Sequence, residues 1–203
     1  MIQKINFRDQ VRAHILKKLQ SGQLKLNDTL SLAELARELK VSTTPIREAL
    51  SQLQYSKIIE AIPNSGFRVP PLDTQEAHNL YSLVATLEHM VVSQATYSSA
   101  TIRRLRKAND IFINSSSALE RINADLKFHA ELIAPSKNDY ACQMIADIKT
   151  RIFFYEVEFM ADKDLQPLSN NHHQEIIAAL ENGDTQLAAE LTKANWDLSQ
   201  KKF

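Results

Sequence analysis

Residues 32–69 read LAELARELKVSTTPIREALSQLQYSKIIEAIPNSGFRV. Leu32, Leu35, Ala36 and Leu39 recur at helical spacing and predict a first helix with one apolar face. Ser31 and Glu34 stand at its start in the pattern of a capping box, where each side chain satisfies the other residue's backbone N–H. The pattern breaks at Lys40-Val41. A second helix then begins, capped by Ser42 or Thr44. Pro45 is tolerated in its first turn, where no N–H is needed. Ile46, Ala49, Leu50 and Leu53 form its inner face. After it the period shortens to two. Ile59 and Ala61, then Phe67 and Val69, flank the turn signal Pro63-Asn64-Ser65-Gly66 and predict a two-stranded hairpin. Upstream, Val11, Ile15, Leu16 and Leu19 place another helix over residues 8–21, ended by Gly22. Downstream, Pro70-Pro71 is stiff and non-helical, so the boundary between a unit 1–70 and a unit 71–203 falls there.

Two short helices joined by a tight break read as a helix-turn-helix. In that unit the second helix enters the major groove, and the hairpin after it is a wing. The turn that would face DNA offers Ser42, Thr43, Thr44 and Arg47. Hydroxyls and helix N–H groups suit phosphate oxygens, and arginine reaches a base or a phosphate. The plainer reading of the same residues is a small helical subdomain with an ordinary cap.

Composition narrows the classes. Usage of about 7% predicts roughly 14 glycines in a chain this long, and the 203 residues contain three, Gly22, Gly66 and Gly183. Neither a phosphate-binding loop nor a dinucleotide fingerprint can be assembled from them. Cys142 is the single cysteine, so no internal disulfide forms, as suits a reducing compartment. The first residues carry no signal-like apolar core, and no apolar run approaches a membrane span. The net charge of zero hides a division. Residues 1–70 hold 11 Lys/Arg against 6 Asp/Glu, and residues 71–203 hold 13 against 18. A basic first part beside an acidic second part fits one unit that meets nucleic acid and one that does not.

From Asp73 onward the chain reads as amphipathic helix over 73–98, 101–115, 118–134, 138–160, 169–182 and 184–200. On the third of these the apolar stripe is Leu119, Ile122, Leu126, Ala130 and Ile133, with Asp125 and His129 stacked one turn apart on its edge. His173 leads Ile176, Ile177 and Leu180 on the fifth, while His172 points away. On the last, Asn195 lies on a stripe of Leu187, Leu191, Ala194 and Leu198, with Trp196 beside it as core or interface. Phe153, Phe154, Tyr155 and Phe159 pack the bundle. His14, His78 and His89 are surface or ordinary packing residues. Three helices thus aim Asp125, His129, His173 and Asn195 inward. Buried polar groups need partners. Either a hydrogen-bonded cluster or a divalent metal held by imidazole and carboxylate satisfies them.

The quoted stretch resembles the winged helix-turn-helix of the GntR superfamily of bacterial transcription regulators. The family pattern LA-x-x-L-x-VS-R-TP-VREAL-x-x-L, then a wing ending G-F-x-V, is matched from Leu35 through Pro45, Arg47 and Leu53 to Gly66, Phe67 and Val69. The helical part resembles the FCD effector-binding domain of the FadR branch. The signature D-x-x-F-H-x-x-L is matched at Asp125–Leu132, and H-x-x-I-x-x-A-L-x-x-G-D at His173–Asp184.

The resemblance implies a mainly α chain. A winged helix-turn-helix over 1–70 binds operator DNA through Ser42, Thr43, Thr44, Arg47 and Gly66. An all-helical domain over 71–203 binds a small-molecule effector and forms a homodimer. It further implies a cytoplasmic regulator, not an enzyme, with a divalent metal (Zn, Ni or Mn) on Asp125, His129 and His173. The chain departs from the family at several positions. Thr43, Ser65 and Thr29 stand where arginine is common, and Lys40 replaces a turn glycine. Asn195 takes the place of the fourth ligand, a histidine, and weakens that position. Val84 takes the place of an effector-binding arginine. Arg151 is the substitute anchor, an exposed basic face being its plainer reading, so the effector pocket is assigned to Val84, Arg151 and Asn195. The segment from Glu88 to Asp125 is shorter than is common in the family. Two other readings attach to the same residues. One is a sensor or interaction protein on this scaffold with weakened or lost DNA binding, supported by Thr43 and Ser65. The other is a metal-dependent hydrolase, disfavoured by the lack of a His-Glu-x-x-His run or an adjacent His-Asp pair.

Overall fold

The computed structural model describes residues 7–63, 65–160 and 166–203, and divides the chain into two compact units, 1–72 and 73–203. In the first unit α1 (Phe7–Gln20) buries Val11, Ile15 and Leu19 and packs against α3 (Thr43–Tyr55). Gly22 follows at φ 71°, the left-handed turn that lets the chain leave the helix. The helix α2 (Leu32–Leu39) is narrower than its periodicity predicts. Leu35 alone is fully buried, and Leu32, Ala36 and Leu39 are half-buried. The Ser31 hydroxyl accepts from the Glu34 N–H. The complete reciprocal box lies elsewhere, at Ser117 and Glu120. Lys40 sits at φ 53° in the turn between α2 and α3, a left-handed conformation that costs a non-glycine residue energy.

The wing has one strand more than the hairpin pattern predicts. β2 (Glu60–Ile62) and β3 (Gly66–Arg68) pair antiparallel, and β1 (Thr29–Leu30) pairs with the other edge of β3, giving the order β1-β3-β2. Two residues are too few to show alternation in sequence, so β1 carried no signal. Asn64, at the centre of the turn signal, lies outside the described residues. Gly66 has φ 100°, and a Cβ there would lie 2.7 Å from the Leu30 carbonyl oxygen. Gly66→Ala is therefore expected to destabilise the first unit by about 1–3 kcal/mol, the cost of a strained backbone position. The readout is a lower urea midpoint for its unfolding.

Among the described residues the second unit holds six helices: α4 (Thr74–Ser93), α5 (Ser99–Ile113), α6 (Ala118–Ile133), α7 (Asp139–Met160), α8 (Gln166–Glu181) and α9 (Thr185–Gln200). Two bounds differ from the sequence reading by three residues or more. α4 stops at Ser93 rather than 98, and α8 already includes Gln166 and Pro167, since proline is accepted in a first turn. Residues 161–165, between α7 and α8, lie outside the described residues. α4 packs on α7 and α9, α5 on α6 and α8, α6 on α7, and α8 on α9. Leu105, Phe128, Leu132, Ile176 and Ala188 meet in the shared core. The aromatic run Phe153, Phe154, Tyr155 and Phe159 is buried as bundle packing. No helix among the described residues is long and apolar enough to cross a membrane.

Two stripes are rotated relative to the sequence reading. On α6, Ala130 is exposed and Leu119, Leu126 and Ile133 are half-buried; the buried face runs through Ile122, Asp125, Phe128, His129 and Leu132. On α9, Leu187 is exposed, and Ala188, Thr192, Asn195, Trp196 and Ser199 are buried. Asp125, His129 and Asn195 therefore lie at the centre of their faces. A stripe fitted to apolar residues alone drifts away from a core that contains polar groups.

Candidate functional site

Ser42, Thr43, Thr44 and Arg47 are all exposed at the start of α3, and the Ser42 hydroxyl makes no cap hydrogen bond. Ile46, Ala49, Leu50 and Leu53 anchor the opposite face in the core. Gly66 is half-buried at the start of β3. The helix thus presents N–H groups, hydroxyls and one guanidinium on a rigid support, which is the chemistry that phosphate oxygens and base edges require.

The second set of candidates converges in the helical unit. Asp125 and His129 come from α6 and His173 from α8, all buried, and one ligand atom of each lies within 4.8 Å of the others. His173 Nε2 is 3.2 Å from Asp125 Oδ1, and His129 Nε2 is 3.9 Å from Asp125 Oδ2. Asn195, from α9, reaches the same place, with its Nδ2 3.3 Å from His129 Nε2 and its Oδ1 accepting from the Ser169 hydroxyl at 3.4 Å. His173 Nδ1 faces Asn109 Oδ1 at 3.1 Å; the amide oxygen accepts, so Nδ1 carries the proton and Nε2 is bare. Burial lowers the pKa of His173 despite Asp125, which favours this neutral ring.

Two acceptors therefore meet at this point. His173 Nε2 and Asp125 Oδ1 face one another, both buried, and with the ring proton on Nδ1 neither finds a hydrogen-bond donor among the described residues. Two lone pairs at this separation repel unless a cation lies between them. Around zinc, with bonds of ~2.1 Å, ligand atoms stand roughly 3.4 Å apart, so the donor set and its spacing fit a divalent ion. Burial acts to raise the Asp125 carboxyl, but the imidazoles of His129 and His173, when protonated, together with Lys149 outweigh it and hold the group below its ordinary range.

Sequence reading missed the shell around this centre. Glu88 (α4) is fully buried. One of its oxygens faces His129 Nδ1 at 2.7 Å and accepts from the Trp196 indole N–H at 2.7 Å; the other pairs with Lys149 of α7. Burial would raise the Glu88 carboxyl, but Lys149 and His129 prevail and hold it at about 2. Glu156, also on α7, accepts from the Tyr81 hydroxyl at 2.7 Å, and burial with Asp125 nearby pushes its carboxyl up to about 8. Glu88, Lys149 and Glu156 carry no pattern in sequence, because charged residues at helical spacing read as a solvated face.

The effector candidates separate. Val84 is buried on α4, one turn before Glu88. Asn195 belongs to the Asp125 centre. Arg151 is not on an exposed basic face. It is 2% exposed, its Nε and Nη2 donate to Glu76 Oε2 at 2.9 and 2.6 Å, and its guanidinium lies over Phe154 and Tyr155.

A winged helix-turn-helix followed by a six-helix unit with a buried Asp–His centre defines a class of DNA-binding regulator. The model of bacterial regulatory proteins of the gntR family matches residues 7–69, and that of the FCD domain matches residues 79–197. The chain belongs to the GntR family and carries an FCD domain. It is 30% identical over 158 residues to the Nta operon transcriptional regulator of Aminobacter aminovorans, covering 75% of this chain and 73% of that protein. It is 25% identical over 191 residues to the transcriptional repressor GlaR of Escherichia coli, covering 85% and 84%. The solved structure of E. coli McbR/YncC superposes with a TM-score of 0.82 at 21% identity, over 95% of this chain and 94% of that one, and shows the same fold. The protein is a DNA-binding transcriptional regulator and not an enzyme.

Proposed function

We propose that the protein is a cytoplasmic, homodimeric regulator whose helical domain (71–203) binds a divalent metal and a small organic effector and thereby changes operator binding by its winged domain (1–70). The observation that carries the metal is the facing pair of orphaned atoms, His173 Nε2 and Asp125 Oδ1. Asp125, His129 and His173 would hold the ion, with Asn195 as a weaker fourth ligand once its amide turns its oxygen inward. A bound ion supplies a Lewis-acidic point that an effector oxygen can join. Asn195 borders that position, and Val84 is assigned to the wall of the effector pocket. Arg151 is already paired with Glu76, so the effector depends on the ion rather than on an arginine.

At the DNA end, Ser42, Thr43, Thr44 and Gly66 are assigned to phosphate contacts and Arg47 to a base or phosphate. Dimerisation follows from the need to read two half-sites about one helical turn apart. Thr43→Arg is expected to add one phosphate contact. Operator affinity should rise at low salt, and the slope of log K against log salt should steepen by about 0.9. Arg47→Ala should cost about 1–3 kcal/mol of operator binding. Fluorescence anisotropy with DNA from upstream of the gene, against scrambled duplex, reads both. Equal, weak binding to the two duplexes would instead favour a sensor on this scaffold with DNA reading lost. Metal is tested by equilibrium dialysis and mass spectrometry of untagged protein; a chain that takes up no Zn, Ni or Mn refutes that part.

A further inference from the structure

The Asp125 centre can accept a cation only if His129 presents a bare nitrogen to it, and nothing on α6 itself decides which ring nitrogen carries the proton. The decision is made from α4. Glu88 receives a hydrogen bond from the Trp196 indole N–H at 2.7 Å, and its other oxygen is ion-paired with the Lys149 ammonium. Both of those groups can only donate, so Glu88 is an acceptor throughout. Its 2.7 Å contact with His129 Nδ1 is then an N–H donated by the ring. The opposite nitrogen agrees independently, because the Asn195 amide NH2, 3.3 Å from His129 Nε2, needs a lone pair there. Val84, one turn earlier on α4, offers no charge that could compete for Glu88.

We infer that Glu88 is a positioning residue for this centre. It fixes His129 as the Nδ1–H tautomer with Nε2 directed at Asp125, and it is itself held ionised and in place by Lys149 and Trp196. A carboxylate behind a ligating histidine sets the ring's tautomer and orientation, and its loss typically weakens metal binding about 10–100-fold. The inference rests on the proposed metal site but is measurable without metal.

The first readout is 15N NMR of chelator-stripped protein at pH 8, with the His129 ring assigned through bonds. The expected spectrum shows a protonated Nδ1 and a bare Nε2. The second is zinc affinity by chelator competition. In Glu88→Gln the ammonium of Lys149 draws the amide oxygen to itself and leaves the NH2 facing Trp196 and His129, so the single tautomer should be lost and zinc affinity should fall about 10–100-fold. Adding Lys149→Met removes the cation that competes for the amide oxygen, and E88Q/K149M should regain both the tautomer and most of the affinity. An Nε2–H tautomer in the unaltered protein overturns the inference. So does a Glu88→Gln protein that keeps the Nδ1–H tautomer and binds zinc within twofold of the unaltered chain. An Nδ1–H tautomer that depends on Glu88, in a protein that takes up no zinc, upholds the positioning role and refutes the metal reading alone.

Discussion

Replacing Lys149 by Met is expected to lower the stability of the helical unit by about 3–5 kcal/mol, the usual cost of removing one partner of a buried ion pair. Glu88 is fully buried and Lys149 nearly so, and the Lys149 ammonium is the cation paired with that carboxylate. Without it, Glu88 keeps hydrogen bonds from Trp196 and His129, but its charge is left in a low-dielectric interior. The double variant E88Q/K149M removes both charges and should recover most of the loss, since a buried pair replaced by neutral groups is often neutral in its effect. Urea unfolding of the three proteins measures this. A single variant as stable as the unaltered chain would mean that water reaches Glu88 and that the pair is not a buried one.

The second large effect is a pH dependence. The Glu156 carboxyl stands at about 8 in the folded protein against 4.5 as the ordinary value. The folded state therefore holds a proton that the unfolded state releases. The stabilisation is fully present below about pH 4.5 and is lost as pH rises through about 8. At 1.36 kcal/mol per unit, the whole interval is on the order of 5 kcal/mol. His173 acts in the opposite sense, because its lowered pKa makes the folded state shed a proton first and adds stability as pH rises toward 6.5. The difference between the unaltered chain and Glu156→Gln isolates the carboxyl. In metal-free protein the two urea midpoints should lie close together at pH 5. At pH 8.5 the Gln variant should be more stable by several kcal/mol. Parallel midpoints at the two pH values would show that Glu156 is ionised in the fold.

The parts legible in sequence share a cause. α3 and the core of the first unit follow from Ile46, Ala49, Leu50 and Leu53, whose apolar spacing has one interpretation. His173, Ile176, Ile177 and Leu180 were legible for the same reason, and all four are buried. The faces of α6 and α9 were misplaced because Asp125, His129, Thr192 and Asn195 occupy core positions while apolar Leu187 faces solvent. Periodicity scores a buried carboxylate as surface. Glu88 and Lys149 were illegible altogether, since their pairing joins α4 to α7 across 61 positions of chain and no local pattern records it. β1 was missed for a different reason, because two residues gain strand geometry only from the neighbour they pair with. Lys40, at φ 53° where the family pattern has glycine, shows that a strained turn persists when the helices on either side hold it.

The central claim is that occupancy of the Asp125 centre changes how the chain binds DNA. It is tested most directly by the anisotropy of one labelled operator duplex, titrated at fixed salt with chelator-stripped protein and with protein reloaded with zinc. Asp125→Asn is carried through the same two titrations. The account predicts that the Kd of the unaltered chain differs by at least about fivefold between the two conditions, the lower end of ordinary coupling between sites, and that Asp125→Asn abolishes the difference. The same operator Kd with and without zinc, in a protein shown to bind the ion, would contradict it.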